Sequence, residues 1–499
     1  MKRIYLIAFL FLLSAIGFSQ SMKDNIIYGS GLNAFPLWGP AIIKYSNGVF
    51  TNYAINSGFG ITMTSLAAND SSGNLLFYSN GLYVNNRFHN RIKGCDSVFI
   101  DSTFYTDPFY LDIGLGVADG LFSIPKPNVP HHYLVFQLNY DFSIFYQDAR
   151  LTYFEVDMDA DSGRGEVISC KTNVVYDTLA DGFLSGVKHA NGRDWWIVCL
   201  EAFTNKYYKV LVTPDTMLVS EQLIGPILDS IEYTGQGNFS NDGNWYARAD
   251  ANGGIVIMQF DRCTGMFSNP IHDTTLIMQC GGVGFSPNNK FLYVSTWLDL
   301  YQYNLEDSAN MVATKIHVAH TDTFIMPSSP FFNTFYRHFL GPDNKLYVIT
   351  QANYKAINII NQPDNLGLAC DVQQHAFPLL KLNQRSAPNW PNYDLGPVLG
   401  SVCDSLGLGV TPNAVFQDLR ISPNPAMEWF YINYTLPQNT SALAVLYDIM
   451  GTRIDQRMLY GHFASLRWDL PHLSTGVYML HITGKGINTC KRVMVIDSQ

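Results

Sequence analysis

Charge is scarce in this 499-residue chain: Asp, Glu, Lys and Arg make up 14% of it, against about 25% in an average soluble domain. No cluster of Lys and Arg occurs, and the formal net charge is −10. Nucleic-acid binding needs clustered cations that release phosphate counterions, so that class is excluded. None of the eight cysteines forms a CxxC pair, which removes zinc ribbons and thioredoxin-type centres. HExxH, GxxxxGKS/T and GxSxG are also missing, so the usual zincin, P-loop and α/β-hydrolase signatures are absent. The stretch GSGLNA from Gly29 fits GxGxxA formally, but no βαβ pattern surrounds it. Beyond the first twenty residues no stretch approaches eighteen apolar residues, so no membrane span is expected in the mature protein.

Other features are plentiful. Hydrophobic residues make up 47% and aromatics 14%. A chain rich in Tyr, Phe, Asn, Gly and Ser but poor in Lys, Glu and Arg reads as strand and turn rather than helix. Its first residues, MKRIYLIAFLFLLSAIGFSQ, place Lys2 and Arg3 before a short apolar run and then small or polar residues. That is the pattern of a secretory signal peptide over 1–20. Export allows disulfides. Cys263 with Cys280 is the first pairing suggested by nearness in sequence, and Cys370 with Cys403 the second, although spacing cannot fix connectivity.

Between residues 60 and 395 one pattern recurs: a polar turn, then a short aromatic and β-branched run. It occurs as DSSGNLLFYS from Asp70, PNVPHHYLVF from Pro127, HANGRDWWIV from His189, SNDGNWYARA from Ser240, SPNNKFLYVS from Ser286 and GPDNKLYVIT from Gly341. A spacing of about 50 residues with several short strands per unit is the sign of a β-propeller. Asp-Gly and Asn-Gly favour the turns that match twisted strand pairs. Phe239, Phe285 and Phe339 precede three of the turns and are expected between blades. Six repeats are visible. A seventh blade is expected from residues 26–50, completed by a strand from 385–393 that latches the ring; six or eight blades remain open. The fold class is therefore all-β, with the propeller over 21–395.

The runs GNLLFYSNG, VKHANGRDWW, FDRCTG, GFSPNNKFLYVST, LYQYNL and GPDNKLYVIT resemble the propeller-like passengers of secreted Bacteroidetes proteins. The resemblance bears on architecture and carries no activity. His189 and Asp194, flanking a turn before Trp195 and Trp196, resemble the structural hydrogen-bond devices of WD-type propellers. Three triplets, at Asp96-Ser97-Val98, Asp177-Thr178-Leu179 and Asp229-Ser230-Ile231, resemble the short O-glycosylation sequon of Bacteroidetes.

After residue 395 the period stops. Residues 396–414 are rich in Gly, Pro and small side chains and read as a linker. Short strands bounded by turns follow over 415–499, enough for a small β-sandwich. This part is similar to the type A sorting domain of the type IX secretion system. The resemblance rests on Pro423, Asn424 and Pro425, then Tyr447, Asp448 and Gly451, then Leu473, Gly476, Val477 and Tyr478, and finally Lys491 and Arg492. It implies export through the periplasm, with the outer-membrane translocon as partner, and a passenger released or attached at the cell surface. The two prolines fix φ on either side of Asn424 and stiffen the approach to the first strand.

The chemistry left over is thin. Asp157, Asp159 and Asp161 alternate in DMDADSGRGE, with Glu166 following. Alternating carboxylates can converge on a hard cation such as Ca2+, but the spacing fails the EF-type loop, and an exposed acidic hairpin turn explains it as well. No other cofactor is indicated. The expected function is binding or scaffolding of a glycan or a surface protein. The alternative is a propeller-fold glycoside hydrolase or lyase, which would need two convergent carboxylates at one mouth of the channel.

Overall fold

The structure, a computed structural model, describes residues 22–496 apart from 33–35, 141–148, 229–234, 277–279, 323, 328, 405–419, 437–440, 449–451, 461–462, 471–472 and 485–486. The expected signal peptide, residues 1–20, lies outside the described residues. The chain divides into two compact units, Met1–Asp404 and Ser405–Gln499.

Among the described residues, the first unit holds seven antiparallel sheets that follow one another in chain order. They span residues 25–54, 66–86, 121–176, 185–223, 236–273, 280–320 and 338–383, here blades 1 to 7. Blades 1 and 2 have three strands and the other five have four. The six runs singled out in the sequence are the second strands of blades 2 to 7. Two of these strands, Trp195–Leu200 and Phe291–Thr296, are buried on both faces.

The burial follows from the two-residue period of a strand. In blade 4, Trp195 and Ile197 pack against Phe122 and Ile124 of blade 3. Trp196 and Val198, on the opposite face, pack against Tyr246 and Val256 of blade 5. The same division recurs around the molecule, with one apolar cluster at each junction. Phe77 meets Tyr133 between blades 2 and 3, and Ala247 meets Val283 between 5 and 6. Tyr293 meets Val348 between 6 and 7, Phe339 meets Ile26 between 7 and 1, and Ile42 meets Tyr78 between 1 and 2. Seven sheets with seven junctions form a closed ring, a seven-bladed β-propeller. Phe239, Phe285 and Phe339 all sit in these junctions.

Closure differs from expectation. Residues 385–393 do not complete blade 1, which stays three-stranded. The last strand of blade 7, Val372–Asn383, instead runs beside blade 1. Leu380 N–H donates to Asn52 Oδ1 at 2.8 Å, and Leu382 N–H donates to the Leu37 carbonyl at 2.9 Å. Blade-to-blade packing thus closes the ring without a shared blade.

The disulfides also differ. They join Cys95 to Cys170 and Cys263 to Cys403, while Cys199 and Cys370 are buried and free. Cys263 lies in the turn between the two outer strands of blade 5, whereas Cys280 opens the innermost strand of blade 6. Successive strands are nearly 5 Å apart, and a disulfide needs Cα atoms within about 7 Å. Nearness in sequence was therefore misleading. The first part of the segment read as a linker is held to the propeller. Gly396 accepts from Arg262 Nη2 at 2.6 Å, Val398 N–H donates to the Ala190 carbonyl, and Cys403 carries the disulfide.

The second unit is a sandwich of two sheets. One contains Arg420–Ser422, Trp429–Thr435 and Phe463–Asp469. The other contains Arg453–Tyr460, Ser441–Tyr447, Gly476–Gly484 and Ile487–Val495. Phe430, stacked on Trp468 at 5.9 Å, faces Leu446, Leu480 and Ile482 across the core.

Candidate functional site

In the sandwich, the Pro-Asn-Pro element lies along the edge of the strand Ile487–Val495. A proline has no N–H to contribute to such an edge, and the Asn424 side chain supplies the missing pairing. Its Oδ1 accepts from Met494 N–H at 2.8 Å, and its Nδ2 donates to the Arg492 carbonyl at 3.0 Å. Ala426 continues the pairing by donating to the Met494 carbonyl and accepting from Ile496 N–H. Both X–Pro bonds, Ser422–Pro423 and Asn424–Pro425, are cis. Pro423, Asn424, Pro425, Lys491 and Arg492 are exposed together near this edge. Gly476 pairs with Val495 on the other side of the same strand. Tyr478 is buried, and its hydroxyl donates to the Ser474 carbonyl at 3.0 Å. Leu473 packs against the core and Tyr447 pairs with Met479. Asp448 closes a turn by accepting from Thr452 N–H at 2.8 Å. Gly451 lies outside the described residues.

In the propeller, residues 386–393 run down the central channel. Ser386 Oγ donates to the Thr62 carbonyl, which precedes the inner strand of blade 2. The Asn389 amide nitrogen lies 2.7 Å from the Leu184 carbonyl and 3.2 Å from that of Leu121. Asn392 Nδ2 donates to the carbonyl of Asn241, beyond the inner strand of blade 5, at 2.8 Å. A cavity of about 70 Å3 remains beside this segment, bordered by Asn238, Gly284, His338 and Trp390. Gln236 binds inner strands together, donating to the His338 carbonyl and accepting from Val283 N–H and His338 N–H. Gly282 permits the close approach there: a Cβ on it would fall 2.3 Å from the Tyr336 carbonyl oxygen.

The channel carries charge that the sequence reading did not identify. Asp119 and Arg337 form a fully buried ion pair. Burial lowers the Arg337 guanidinium to about 9 and the His338 imidazole to about 3, and it raises the Asp181 carboxyl well above its ordinary value. Each residue opens an inner strand or lies within four residues before one, a signal that exists only once the strand order is known.

The acidic triplet does not gather. Asp157 ends a strand, and the chain then turns through Asp161 and Ser162, both at positive φ. Strand alternation is lost at that point. Asp159 pairs with His131 at 2.8 Å, and Asp161 pairs with Lys93 and Arg164. Nearby, Glu155 accepts from Lys126 at 2.9 and 3.0 Å and contacts His132 Nδ1 at 2.7 Å. This pair borders a groove of about 340 Å3 between blades 3 and 4, where Tyr153, Asn173, Asp215 and Met217 also face the opening. Farther round, His189 Nε2 contacts the Cys263 carbonyl at 3.0 Å, and Asp194 accepts from Asn191 and Arg193. These contacts give His189 and Asp194 structural roles. Ser97, in the first glycosylation-like triplet, is buried, and Asp229 and Ser230 lie outside the described residues.

Residues 420–496 match the family model of the secretion system C-terminal sorting domain. The chain therefore carries a type IX sorting domain and is exported through the periplasm to the cell surface or beyond. No curated protein matches it in sequence. Among solved structures it is similar to PorZ, an essential bacterial surface component of the type IX secretion system of Porphyromonas gingivalis. Identity is 12% and the TM-score 0.35, over 92% of this chain and 63% of PorZ, so the chain spans less than two thirds of that protein. A candidate 6-phosphogluconolactonase from Bacteroides uniformis and a functionally unknown protein from Desulfotomaculum acetoxidans each show 12% identity and a TM-score of 0.38. Each covers 72% of this chain and 97% of its own. Likeness at this level carries no argument about activity, and the propeller assignment stands on the strand order and the closed ring. No helix among the described residues is long and apolar enough to cross a membrane.

Proposed function

We propose that the exported propeller is a binding protein without catalytic activity, and that its ligand, a short polar glycan, sits in the groove between blades 3 and 4. The groove itself carries this reading. Its volume of about 340 Å3 falls within the ordinary range for small-ligand sites. Tyr153 offers an aromatic face with a polar tip, the combination suited to a sugar ring. Asn173, Asp215 and Thr216 surround it with acceptors and donors. The rival reading, a glycoside hydrolase or lyase, requires a carboxylic acid free to exchange protons with substrate. Glu155 is engaged by both Lys126 and His132, which supports a positioning role.

A glycan array probed with the mature chain tests the proposal. Binding to a defined glycan, lost in Tyr153→Ala and kept in Tyr45→Phe as a remote control, is expected. Binding that survives Tyr153→Ala would remove the groove assignment. Turnover of a polysaccharide, abolished by Glu155→Gln, would move the protein to the enzyme class.

A further inference from the structure

The third and fourth strands of blade 6, Asp299–Asn304 and Ile316–His320, form an antiparallel pair. Asp299 opposes His320, and Tyr301 opposes His317. On a regular strand His317 and His320 would point to opposite faces, because they are three residues apart. The register shifts between Leu300 and Tyr301, which leaves Val318 as an extra residue. A bulge of this kind resets the alternation and re-aims side chains. Val318 turns into the core, where it is buried, and both histidines come to share the face of Asp299.

The three side chains then converge. His317 Nε2 lies 2.8 Å from Asp299 Oδ1, and His320 Nδ1 lies 2.7 Å from the same oxygen. All three ligand atoms fall within 4.8 Å of one another, the one such group of three among the described residues. Lys315, whose ammonium lies 5.8 Å from the Tyr301 ring centroid, is held by Asp273 at 3.1 Å. The His317 ring is braced by an edge contact with Tyr301, at 5.3 Å between centroids. Both histidines are about half exposed and Asp299 a quarter, so the open side faces solvent.

We propose that Asp299, His317 and His320 form a binding site for a divalent transition-metal ion of the zinc class. Two imidazoles and one carboxylate make a donor set that suits Zn2+ and its first-row neighbours rather than Ca2+ or Mg2+. Bond lengths of roughly 2.0 to 2.2 Å in a tetrahedral site put ligand atoms about 3.3 Å apart. The present spacing is shorter because hydrogens occupy the N···O contacts. A metal takes the place of those hydrogens as each ring carries its proton on the other nitrogen and the exposed side chains move apart by about half an ångström. Three protein ligands leave a fourth position for water or for a donor from a bound partner. The site is on blade 6 and is independent of the groove between blades 3 and 4.

The test is titration of the chelator-treated mature chain with Co2+ and Zn2+, followed by calorimetry and by the visible absorption of bound Co2+. One ion per chain is expected. His317→Ala, His320→Ala and Asp299→Asn should each weaken binding at least about tenfold, with an unchanged circular dichroism spectrum because both imidazoles are exposed and Asp299→Asn keeps the side-chain volume. His131→Ala, which removes the imidazole facing Asp159, should leave binding unaltered. Absence of stoichiometric binding would overturn the proposal, as would binding that persists in a His317→Ala, His320→Ala double variant.

Discussion

The Asn389 side chain donates to the Leu184 carbonyl at 2.7 Å, across 205 residues of sequence. Among the described residues, inner strands of neighbouring blades do not pair with each other, so carbonyls at the channel wall need other donors. Asn389 serves those of blades 3 and 4 together. Asn389→Leu keeps the volume but strands buried carbonyls, and should cost about 1–3 kcal/mol. A lower urea midpoint at unchanged slope would show this; an unaltered midpoint would mean that water replaces the amide.

Much of the fold was legible because its turns are chemically explicit. Ser240 and Ser286 each accept, through Oγ, the N–H of the residue that opens the next strand, Trp245 and Phe291. Gly243 and Asn289 supply the positive φ these turns require. Turns of the recurring pattern mark the second strands of blades 2 to 7. The neighbour that closes the ring on blade 1 was harder to read: the strand Val372–Asn383 of blade 7 is more than 300 residues from Asn52, which it contacts, and no local pattern identifies it.

The site was less legible than the fold. The sorting elements are short linear motifs, and the structure adds the way Asn424 joins Met494 and Arg492. The blade 6 cluster needs a bulge at Val318, which shifts two histidines that strict alternation places on opposite faces. Sequence periodicity instead drew attention to Asp157, Asp159 and Asp161, where a turn disperses the carboxylates. The channel residues Asp119 and Arg337 become visible as a pair only when the ring closes.

The Cys263–Cys403 disulfide fastens residues 396–404 to blade 5, closing a loop with a sequence separation of 140. Limited proteolysis should therefore cut beyond Cys403, within the Gly- and Pro-bearing sequence before residue 420. Cys263→Ser with Cys403→Ser should lower stability by about 2–5 kcal/mol and open 396–404 to cleavage. Cleavage there in the disulfide-bonded protein, or an unchanged melting temperature in the variant, would contradict this.

His338 sets an acid limit on stability. Burial lowers its imidazole from the ordinary 6.5 to about 3, and neither ring nitrogen has a hydrogen-bond partner among the described residues. Between these values the unfolded chain binds a proton that the folded chain does not. The associated stability is complete above about pH 6.5 and is lost as pH falls toward 3, by at most about 1.4 kcal/mol per unit. Asp181, raised by burial, has the opposite sign: its contribution is lost as pH rises above the ordinary carboxyl range. His338→Gln should thus flatten the acid limb in urea titrations from pH 7 to 4. An equally steep limb in the variant would assign the loss to other groups.

Export should depend on the Asn424 pairing as well as on the presence of the tail. Deleting residues 415–499 removes the whole sorting sandwich and should leave the passenger in the periplasm, as read by cell fractionation and surface protease accessibility. Asn424→Ala is the finer test. It removes the bonds to Met494 N–H and the Arg492 carbonyl and leaves the apolar core around Phe430 and Trp468 intact. Because the site is exposed, the cost should be about 1–2 kcal/mol, too little to unfold the sandwich. The Pro423–Pro425 element, no longer pinned to the strand edge beside Lys491 and Arg492, should then be recognised poorly, and precursor should accumulate in the periplasm with a folded tail. Normal surface delivery of Asn424→Ala would show that recognition does not read this edge. Normal delivery of the deletion would remove the sorting role from the tail altogether.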